Sequence, residues 1–269
     1  MSKLNKVKVL ATDMDGTFIP LAGNEQNRSD LHTLQAELER HEVTLMYVTG
    51  RHLELVLDAI RSDGLPSPRW MICDVGASIY HVNSTGVYTA LQEYTQHLSD
   101  LVGEHSRATL VQQVGEIAGL RMQEPEKQTE FKISYYCNAD NLTNIETLLM
   151  SELERSCAPY RIIASVDPFT GDGLIDFLPA GVSKAYALRW WAGHTQSEHQ
   201  SIVFAGDSGN DIAALTAGYR SIVVGNAEKA IATEVRRVHE LNGWSDRLVV
   251  STSLATSGVL EGLKHFLKR

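Results

Sequence analysis

Cysteine is scarce in this sequence, and long hydrophobic runs are lacking altogether. The chain of 269 residues has three cysteines, an odd number, and they are widely spaced with no C-x-x-C pair. A disulfide framework and a zinc site are both disfavoured, so we expect reduced thiols that pack as small apolar residues. Because no stretch approaches the ~20 consecutive apolar residues that cross a bilayer, we expect a soluble, cytoplasmic protein.

Positive charge is also in short supply. The chain has 24 Lys and Arg against 33 Asp and Glu, a formal net charge of −9, and its basic residues do not cluster. Nucleic acids and anionic membranes both require a basic face, so we expect neither as a partner. Seven Pro and twenty Gly give no sign of a collagen or a disordered linker. The length suits one large domain or a core with a second lobe, and we expect a monomer or a weak homodimer.

Apolar runs alternate with helical patterns over most of the chain. Leucines at helical spacing follow the first run, with Ser29 as the expected N-cap of that helix. Strands that alternate with helices predict a doubly wound parallel sheet with right-handed crossovers. The predicted strands of this sheet are 7–12, 44–48, 70–73, 201–205 and 221–224, and a helix is predicted over 184–192.

The middle of the chain has a different pattern. The elements predicted there are helices over 98–119 and 142–157 and strands over 131–137, 161–166 and 174–178. Helices with antiparallel strands predict a small α+β lobe inserted into the α/β domain. We therefore expect a discontinuous core, 1–80 and 182–269, and an inserted domain, 81–181.

Acidic and hydroxyl side chains follow three of the predicted parallel strands. Asp13 and Asp15 come after the first strand, Thr49 after the second, and the segment 206–211 (GDSGND) after the strand at 201–205. The carboxyl ends of parallel strands form the ligand crevice of an open α/β sheet, so these groups are expected to share one site.

These residue types suit phosphoryl transfer. Two neighbouring carboxylates can act as a nucleophile and as an acid or base. The downstream acidic cluster supplies hard oxygen ligands for Mg²⁺. Lys184 adds a compact positive charge at a helix start, while Thr49 adds a hydroxyl and Gly50 permits close approach of a substrate to the backbone. Positioning and charge stabilisation dominate the barrier to this reaction.

The order of these motifs resembles that of the haloacid dehalogenase (HAD) superfamily. The matching segments are Asp13-Met14-Asp15-Gly16-Thr17, Val48-Thr49-Gly50-Arg51, Lys184 and Gly206-Asp207-Ser208-Gly209-Asn210-Asp211. The insertion between the second and third motifs resembles the αββ-type cap of one subgroup. Three further segments, 131–135 (FKISY), 225–227 (GNA) and 258–263 (GVLEGL), resemble sucrose-phosphate and related glycosyl-sugar-phosphate phosphatases. The resemblance implies a HAD-like, Rossmannoid core and an α+β cap that selects the substrate.

The resemblance also implies roles for the catalytic residues. Asp13 would be the nucleophile that forms an aspartyl-phosphate, and Asp15 would be the general acid for the leaving sugar and then the base for water. Thr49, with Gly50, would hold the transferring phosphoryl group. Lys184 would neutralise charge between that group and Asp13.

A magnesium site and a sugar site are implied as well. Asp207 would bind Mg²⁺ together with the carboxylate of Asp13 and the backbone carbonyl of Asp15, and Asn210 and Asp211 would complete or orient the site. The polar candidates for substrate recognition in the inserted domain are Glu130, Lys132, Tyr135, Asp167, Thr170 and Asp172. Arg51 is expected either to reach the phosphate or to form an ion pair.

The expected function is an Mg²⁺-dependent phosphatase for a small sugar phosphate, with a sucrose 6-phosphate-like disaccharide monophosphate favoured. A hexose-phosphate or other glycosyl-phosphate phosphatase stays open at this point, and so does a phosphomannomutase-like phosphomutase. A phospho-signalling receiver, which also combines acidic residues with a Thr and a Lys, is disfavoured because the long insertion and the GDSGND segment have no place in one.

Overall fold

The computed structural model describes residues 6–115, 117–167 and 170–268. The chain divides into two compact units: the residues up to 89 together with those from 183 onward, and residues 90–182. The insertion was expected to start at 81, but residues 81–89 belong to the first unit because strands at 78–82 and 88–90 extend its sheet. Pro168 and Phe169, in the loop between two predicted strands of the insertion, lie outside the described residues, as does Glu116 at the end of the predicted helix 98–119.

The strands in chain order are β1 (Val9–Thr12), β2 (Thr44–Val48), β3 (Trp70–Cys73), β4 (Ser78–Val82), β5 (Tyr88–Ala90), β6 (Arg121–Met122), β7 (Ile133–Cys137), β8 (Tyr160–Val166), β9 (Gly173–Pro179), β10 (Ile202–Gly206), β11 (Arg220–Val223) and β12 (Leu248–Val250). The α-helices are α1 (Glu25–His41), α2 (Leu53–Asp63), α3 (Gln92–Val102), α4 (Arg107–Val114), α5 (Leu142–Ser156), α6 (Lys184–His194), α7 (Ile212–Leu215), α8 (Lys229–Leu241) and α9 (Ala255–Leu267).

The first unit is built on an eight-stranded sheet in the order β12-β11-β10-β1-β2-β3-β4-β5. Neighbouring strands from β12 to β3 pair in parallel, and β4 pairs antiparallel to β3. The strand order changes direction at β1, whose four residues are all buried. A strand covered on both faces explains the continuous apolar run at this place. The predicted parallel α/β sheet is confirmed.

Helix α1 begins earlier than predicted. The side chain of Asn24 accepts a hydrogen bond from the backbone N–H of Asn27 at 3.1 Å, so Asn24 is the N-cap and the expected cap Ser29 lies inside the helix. The first turns of α1 are polar, and hydrogen bonds attach them to the rest of the unit. The buried side chain of Asn27 donates to the carbonyl of Leu254 and to Ser257 Oγ. These long-range bonds are invisible to a pattern based on leucine spacing.

The second unit has a four-stranded antiparallel sheet in the order β6-β7-β9-β8, with α3, α4 and α5. The single helix predicted over 98–119 is wrong, because two helices occupy this region. Gly103, with φ 56°, ends α3, and Ser106 accepts a hydrogen bond from the N–H of Thr109 to cap α4. Across the parts of the chain that the structure describes, no helix combines the length and the apolar character that crossing a membrane requires.

Candidate active site

The candidate functional residues of the first unit lie at the carboxyl ends of neighbouring strands. Asp13 follows β1, Thr49 follows β2 and Asp207 follows β10, and β1 lies between the other two strands. The N–H of Asp13 donates to the carbonyl of Ala205 at 2.9 Å, and the N–H of Thr49 donates to the carbonyl of Ile72 at 2.8 Å. The parallel sheet therefore delivers three distant segments to one edge.

Lys184 joins two of these segments through its ammonium group. Its Nζ donates to Asp13 Oδ1 at 2.7 Å and to Asp211 Oδ1 at 2.8 Å. Lys184 is 1% exposed, Asp13 4% and Asp211 0%, so all three charges are withdrawn from water. Ser183 caps α6 by accepting a hydrogen bond from the N–H of Tyr186, which makes Lys184 the first residue of that helix.

Burial and charge set the ionisation of this cluster. Desolvation raises the pKa of Asp13 to about 7, since burial outweighs the favourable charge of Lys184. Burial opposes the charged form of Lys184 too, but Asp13 and Asp211 outweigh it and leave the pKa of the lysine above its ordinary value. Burial likewise raises the pKa of Asp207. The cluster holds more negative charge than its one lysine neutralises.

Two further residues, Thr17 and Asn226, orient Asp207. Both lie in motifs recognised in the sequence, but neither was expected to have a role of its own. Thr17 Oγ1 donates to Asp207 Oδ1 at 2.8 Å. Asn226 Nδ2 donates to the carbonyl of Gly16 at 2.7 Å and lies 3.4 Å from Asp207 Oδ2. Gly16 has φ 71°, and a Cβ there would lie 2.4 Å from Asp207 Oδ2. The glycine therefore permits both the turn and the close approach of the carboxylate.

Asp211 has both carboxylate oxygens engaged. Oδ1 accepts from Lys184, while Oδ2 accepts from the N–H groups of Asp207 and Ser208 at 3.2 and 3.1 Å and from Ser208 Oγ at 3.0 Å. These bonds shape the turn that carries Asp207 and aim the lysine at Asp13.

The donor set matches a divalent cation. Oxygen atoms of Asp13, Asp207 and Asp211 lie within 4.8 Å of one another. When ionised, these three carboxylates face the single positive charge of Lys184, which leaves an excess of two negative charges. Hard carboxylate oxygens and this excess charge fit Mg²⁺.

Asp15 lies in a different environment from Asp13. Its side chain is 57% exposed and forms a bidentate ion pair with Arg51, with Nε to Oδ2 at 2.8 Å and Nη2 to Oδ1 at 2.5 Å. The hydrogen bond to Asp15 raises the pKa of Arg51. Of the two expectations for Arg51, the structure shows the ion pair. The two aspartates of the first motif therefore differ in burial and in partner.

Three further candidates, Thr49, Asn210 and Lys132, have local partners. Thr49 is fully buried, and its Oγ1 accepts a hydrogen bond from the N–H of Arg51 across Gly50 at 3.2 Å. Asn210 is exposed, and its Oδ1 accepts from Ser208 within its own turn. In the second unit, Lys132 Nζ lies 3.5 Å from Asp176 Oδ2.

Comparison with known proteins identifies the family. A sequence model of the sucrose-6F-phosphate phosphohydrolases matches residues 6–267. The chain belongs to this family. It is 32% identical to a HAD-like hydrolase of Nitrosococcus oceani, over 96% of this chain and 71% of that protein. It is 28% identical to the mannosylfructose-phosphate phosphatase of Agrobacterium fabrum, over 98% of both chains.

A solved structure agrees with this assignment. The sucrose-phosphatase of Synechocystis, determined with sucrose and phosphate, superposes with a TM-score of 0.69 and 25% identity, covering 97% of this chain and 98% of that one. The resemblance to the HAD superfamily and to its sucrose-phosphate phosphatases is thus confirmed. As a member of the sucrose-6F-phosphate phosphohydrolase family, the chain is a phosphoric monoester hydrolase of the sugar-phosphatase type.

Replacing Lys184 with Met should destabilise the metal-free protein, because Asp13 and Asp211 are then buried together without a cation. We expect the free energy of unfolding at pH 8 to fall by about 3–5 kcal/mol. The pKa of Asp13 in the folded state, already raised to about 7, rises further, so the folded protein holds protons that the unfolded chain releases. The deficit relative to wild type therefore grows as the pH rises above about 7, because wild-type Asp13 then ionises in the folded state while the variant still holds its proton.

Urea denaturation in EDTA at pH 5 and pH 8 measures this effect. Lys6→Met is the matched control, since Lys6 makes an exposed 3.6 Å pair with Glu42 and should change stability by less than about 1 kcal/mol. A Lys184→Met protein as stable as wild type at pH 8 would contradict the account of the buried cluster.

Proposed function

We propose that this chain is an Mg²⁺-dependent phosphatase that hydrolyses a sucrose 6-phosphate-like disaccharide monophosphate through an aspartyl-phosphate at Asp13. The observation that carries the proposal is the buried bond between Lys184 and Asp13, which holds one carboxylate in a fixed orientation at the carboxyl edge of the sheet. A carboxylate used as a nucleophile needs such orientation and partial desolvation. A cytoplasmic location stays a prediction.

In the first step Asp13 attacks phosphorus. Lys184 holds Oδ1, so Oδ2 is the oxygen left to form the new O–P bond. The bond between phosphorus and the sugar oxygen breaks, and Asp15 in its acid form gives its proton to that oxygen. The ion pair with Arg51 favours the carboxylate form of Asp15, so the acid role requires Asp15 to release Arg51 when the substrate binds. Its exposed position outside the buried cluster permits this change, and the two carboxyl groups can then hold different protonation states.

In the second step water attacks the aspartyl-phosphate. Asp15, now a carboxylate, takes a proton from the water, the O–P bond to Asp13 breaks and inorganic phosphate leaves. Thr49 and the N–H groups of its loop would hold the phosphoryl oxygens, and Lys184 would offset their charge. The same two aspartates thus act in both steps: Asp13 is first the nucleophile and then the leaving group, and Asp15 is first the acid and then the base.

Magnesium would be held by the carboxylates of Asp13 and Asp207 and by the backbone carbonyl of Asp15. When bound, it supplies positive charge that neutralises the phosphoryl oxygens and the excess charge of the acidic cluster. Asp211, although among the expected metal residues, is better suited to orientation because its oxygens are engaged by Lys184 and by the 207–208 backbone. Asn210 would help to shape the same turn.

The second unit is proposed as the substrate-specificity cap and the first as the HAD-like catalytic core. Lys132 lies next to Asp176, which also accepts a hydrogen bond from Ser134 Oγ at 2.5 Å. These three polar groups, which neighbour one another in the second unit, suit the recognition of sugar hydroxyls. The names of the relatives, a mannosylfructose-phosphate phosphatase and a sucrose-phosphatase with bound sucrose and phosphate, support a disaccharide.

Asp13→Asn should reduce phosphate release from every substrate to background, because an amide cannot form the acyl phosphate.

Asp15→Asn should behave differently from Asp13→Asn with p-nitrophenyl phosphate, whose leaving group departs without an acid. We expect rapid release of about one equivalent of nitrophenol per enzyme followed by slow turnover, as the base for water is missing. Stopped-flow absorbance measures the burst. Asp58→Asn, an exposed site, is the control, and near-normal turnover by Asp13→Asn would overturn the nucleophile assignment.

Thr17→Val should weaken metal binding, since it removes the hydrogen bond that orients Asp207 and keeps the shape of the side chain. The Mg²⁺ concentration for half-maximal activity should rise about 10–100-fold, with little change in kcat at saturation. Titration of phosphate release with Mg²⁺ after EDTA treatment measures it. Thr33→Val on α1, where the hydroxyl bonds to the carbonyl of Ser29, is the control. An unchanged Mg²⁺ requirement in Thr17→Val would argue against Asp207 as a ligand.

Lys132→Met tests the role of the cap. We expect KM for sucrose 6-phosphate to rise at least about tenfold through the loss of a charged hydrogen bond, whereas p-nitrophenyl phosphate, which has no sugar, should be turned over normally. Phosphate release is measured over a panel of disaccharide and hexose monophosphates, with exposed Lys229→Met as the control. A preference for hexose phosphates, unaffected by Lys132→Met, would exclude the disaccharide proposal and leave the core chemistry intact.

A further inference from the structure

The turn that follows β3 has an unusual backbone. Asp74 and Val75 have φ values of 54° and 57°, in the left-handed region, and Gly76 follows with φ 104°. Glycine adopts such angles readily, but a β-branched residue such as Val75 rarely does. Strained backbone of this kind persists only where the surrounding structure holds it in place, and it concentrates at functional sites.

One side of this turn holds the loop that carries Thr49. The N–H of Asp74 donates to the carbonyl of Arg51 at 3.0 Å, and the N–H of Val75 donates to the carbonyl of Thr49 at 3.1 Å. The Asp74 side chain is fully buried and accepts a hydrogen bond from Ser78 Oγ at 3.1 Å. Two successive N–H groups therefore bracket the Thr49–Arg51 segment, and the left-handed backbone lets both donate to it.

The opposite side of the turn meets the start of α6. A Cβ on Gly76 would lie 2.3 Å from the carbonyl oxygen of Ser183, 2.5 Å from its carbonyl carbon and 3.1 Å from the backbone nitrogen of Lys184. No side chain fits this gap, and the atoms that block it are backbone. Gly76 is thus packed directly against the residue that caps α6 and against the lysine that holds Asp13.

We propose that the turn at Asp74–Gly76 is a positioning element that sets the spacing between Thr49 and Lys184. The inference rests on the proposed function, in which these two groups hold the transferring phosphoryl group. The turn donates no group to the reaction. It acts through two hydrogen bonds on one side and one close backbone contact on the other, so a change on either side alters the distance across the phosphoryl site.

Gly76→Ala tests the contact with α6. Its methyl group must displace Ser183 and with it Lys184, so kcat/KM should fall about 100-fold, as expected for a misplacement of about 1 Å. Affinity for orthovanadate, which mimics the transition state of phosphoryl transfer, should fall with it. Gly64→Ala is the matched control: Gly64 also has a positive φ, 65°, but apart from its chain neighbours no atom lies within 4 Å of the added methyl group. It should keep wild-type kcat/KM and vanadate affinity.

A second pair of variants keeps the proposal testable if Gly76→Ala does not fold. Asp74→Asn keeps the acceptor for Ser78 and the tolerance of asparagine for left-handed backbone, whereas Asp74→Ala loses both. Asp74→Asn should stay close to wild type in kcat/KM and vanadate affinity, and Asp74→Ala should lose both. Thermal unfolding of each variant shows that the loss occurs in folded protein.

The proposal is overturned if folded Gly76→Ala matches Gly64→Ala in kcat/KM and vanadate affinity, or if Asp74→Ala matches Asp74→Asn. Asp13→Asn, assayed alongside, separates this result from a failure of the proposed function. An inactive Asp13→Asn with a normal Gly76→Ala removes only the positioning role. An active Asp13→Asn removes the aspartyl-phosphate chemistry on which the inference rests.

Discussion

The buried ammonium group of Lys184 is the interaction on which the rest of the site depends. It bonds to Asp13 at 2.7 Å and to Asp211 at 2.8 Å, and none of the three side chains is more than 6% exposed. Removal of Lys184 would leave two buried carboxylates without a cation, which is costly in a medium of low polarity. Strand β1, the start of α6 and the turn after β10 are therefore constrained to meet at one point. Neighbouring residues fix the backbone at these positions. Ser183 caps α6, the helix that begins with Lys184, and the Asp211 side chain accepts a hydrogen bond from the N–H of Asp207.

The same cluster shows how an acidic protein can handle an anionic substrate. The chain has a net charge of −9, and its acidic cluster contains only one lysine, so a phosphate cannot be drawn in by a broad basic surface. Burial raises the pKa of Asp13 to about 7, and the neighbouring charge of Asp211 adds to this effect. A divalent cation would remove the excess negative charge of this cluster, and oriented N–H groups with Lys184 would then face the phosphoryl oxygens. Binding of the metal and binding of the substrate would therefore both depend on neutralising the same negative charge.

Much of this arrangement could be predicted from the sequence because it depends on local pattern. Parallel strands buried on both faces are continuous apolar runs, so β1 and β2 were recognisable, and polar residues directly after such strands predict the site edge. Other features depend on distant contacts. Asn24 caps α1 in a helix held by bonds from Asn27 to residues far along the chain, and Gly103 ends a helix that the apolar spacing alone would continue. Val75 gives no sign of its left-handed backbone, since valine is among the residues that avoid it. Thr17 and Asn226 lie within recognisable motifs. Their bonds to Asp207 and to the Gly16 carbonyl, however, form only when β10 pairs with β1 and β11 pairs with β10 in the folded sheet.

Trapping of the aspartyl-phosphate tests directly whether Asp13 carries the phosphoryl group. Borohydride reduces an acyl phosphate to an alcohol, so an enzyme quenched during turnover should contain homoserine in place of aspartate at position 13. Peptide mass spectrometry of the quenched protein locates the change. The account predicts homoserine at position 13 only, dependent on substrate and lost when borohydride is omitted. Reduction at a different carboxylate, or an unmodified Asp13 in an enzyme captured at full turnover, would contradict it.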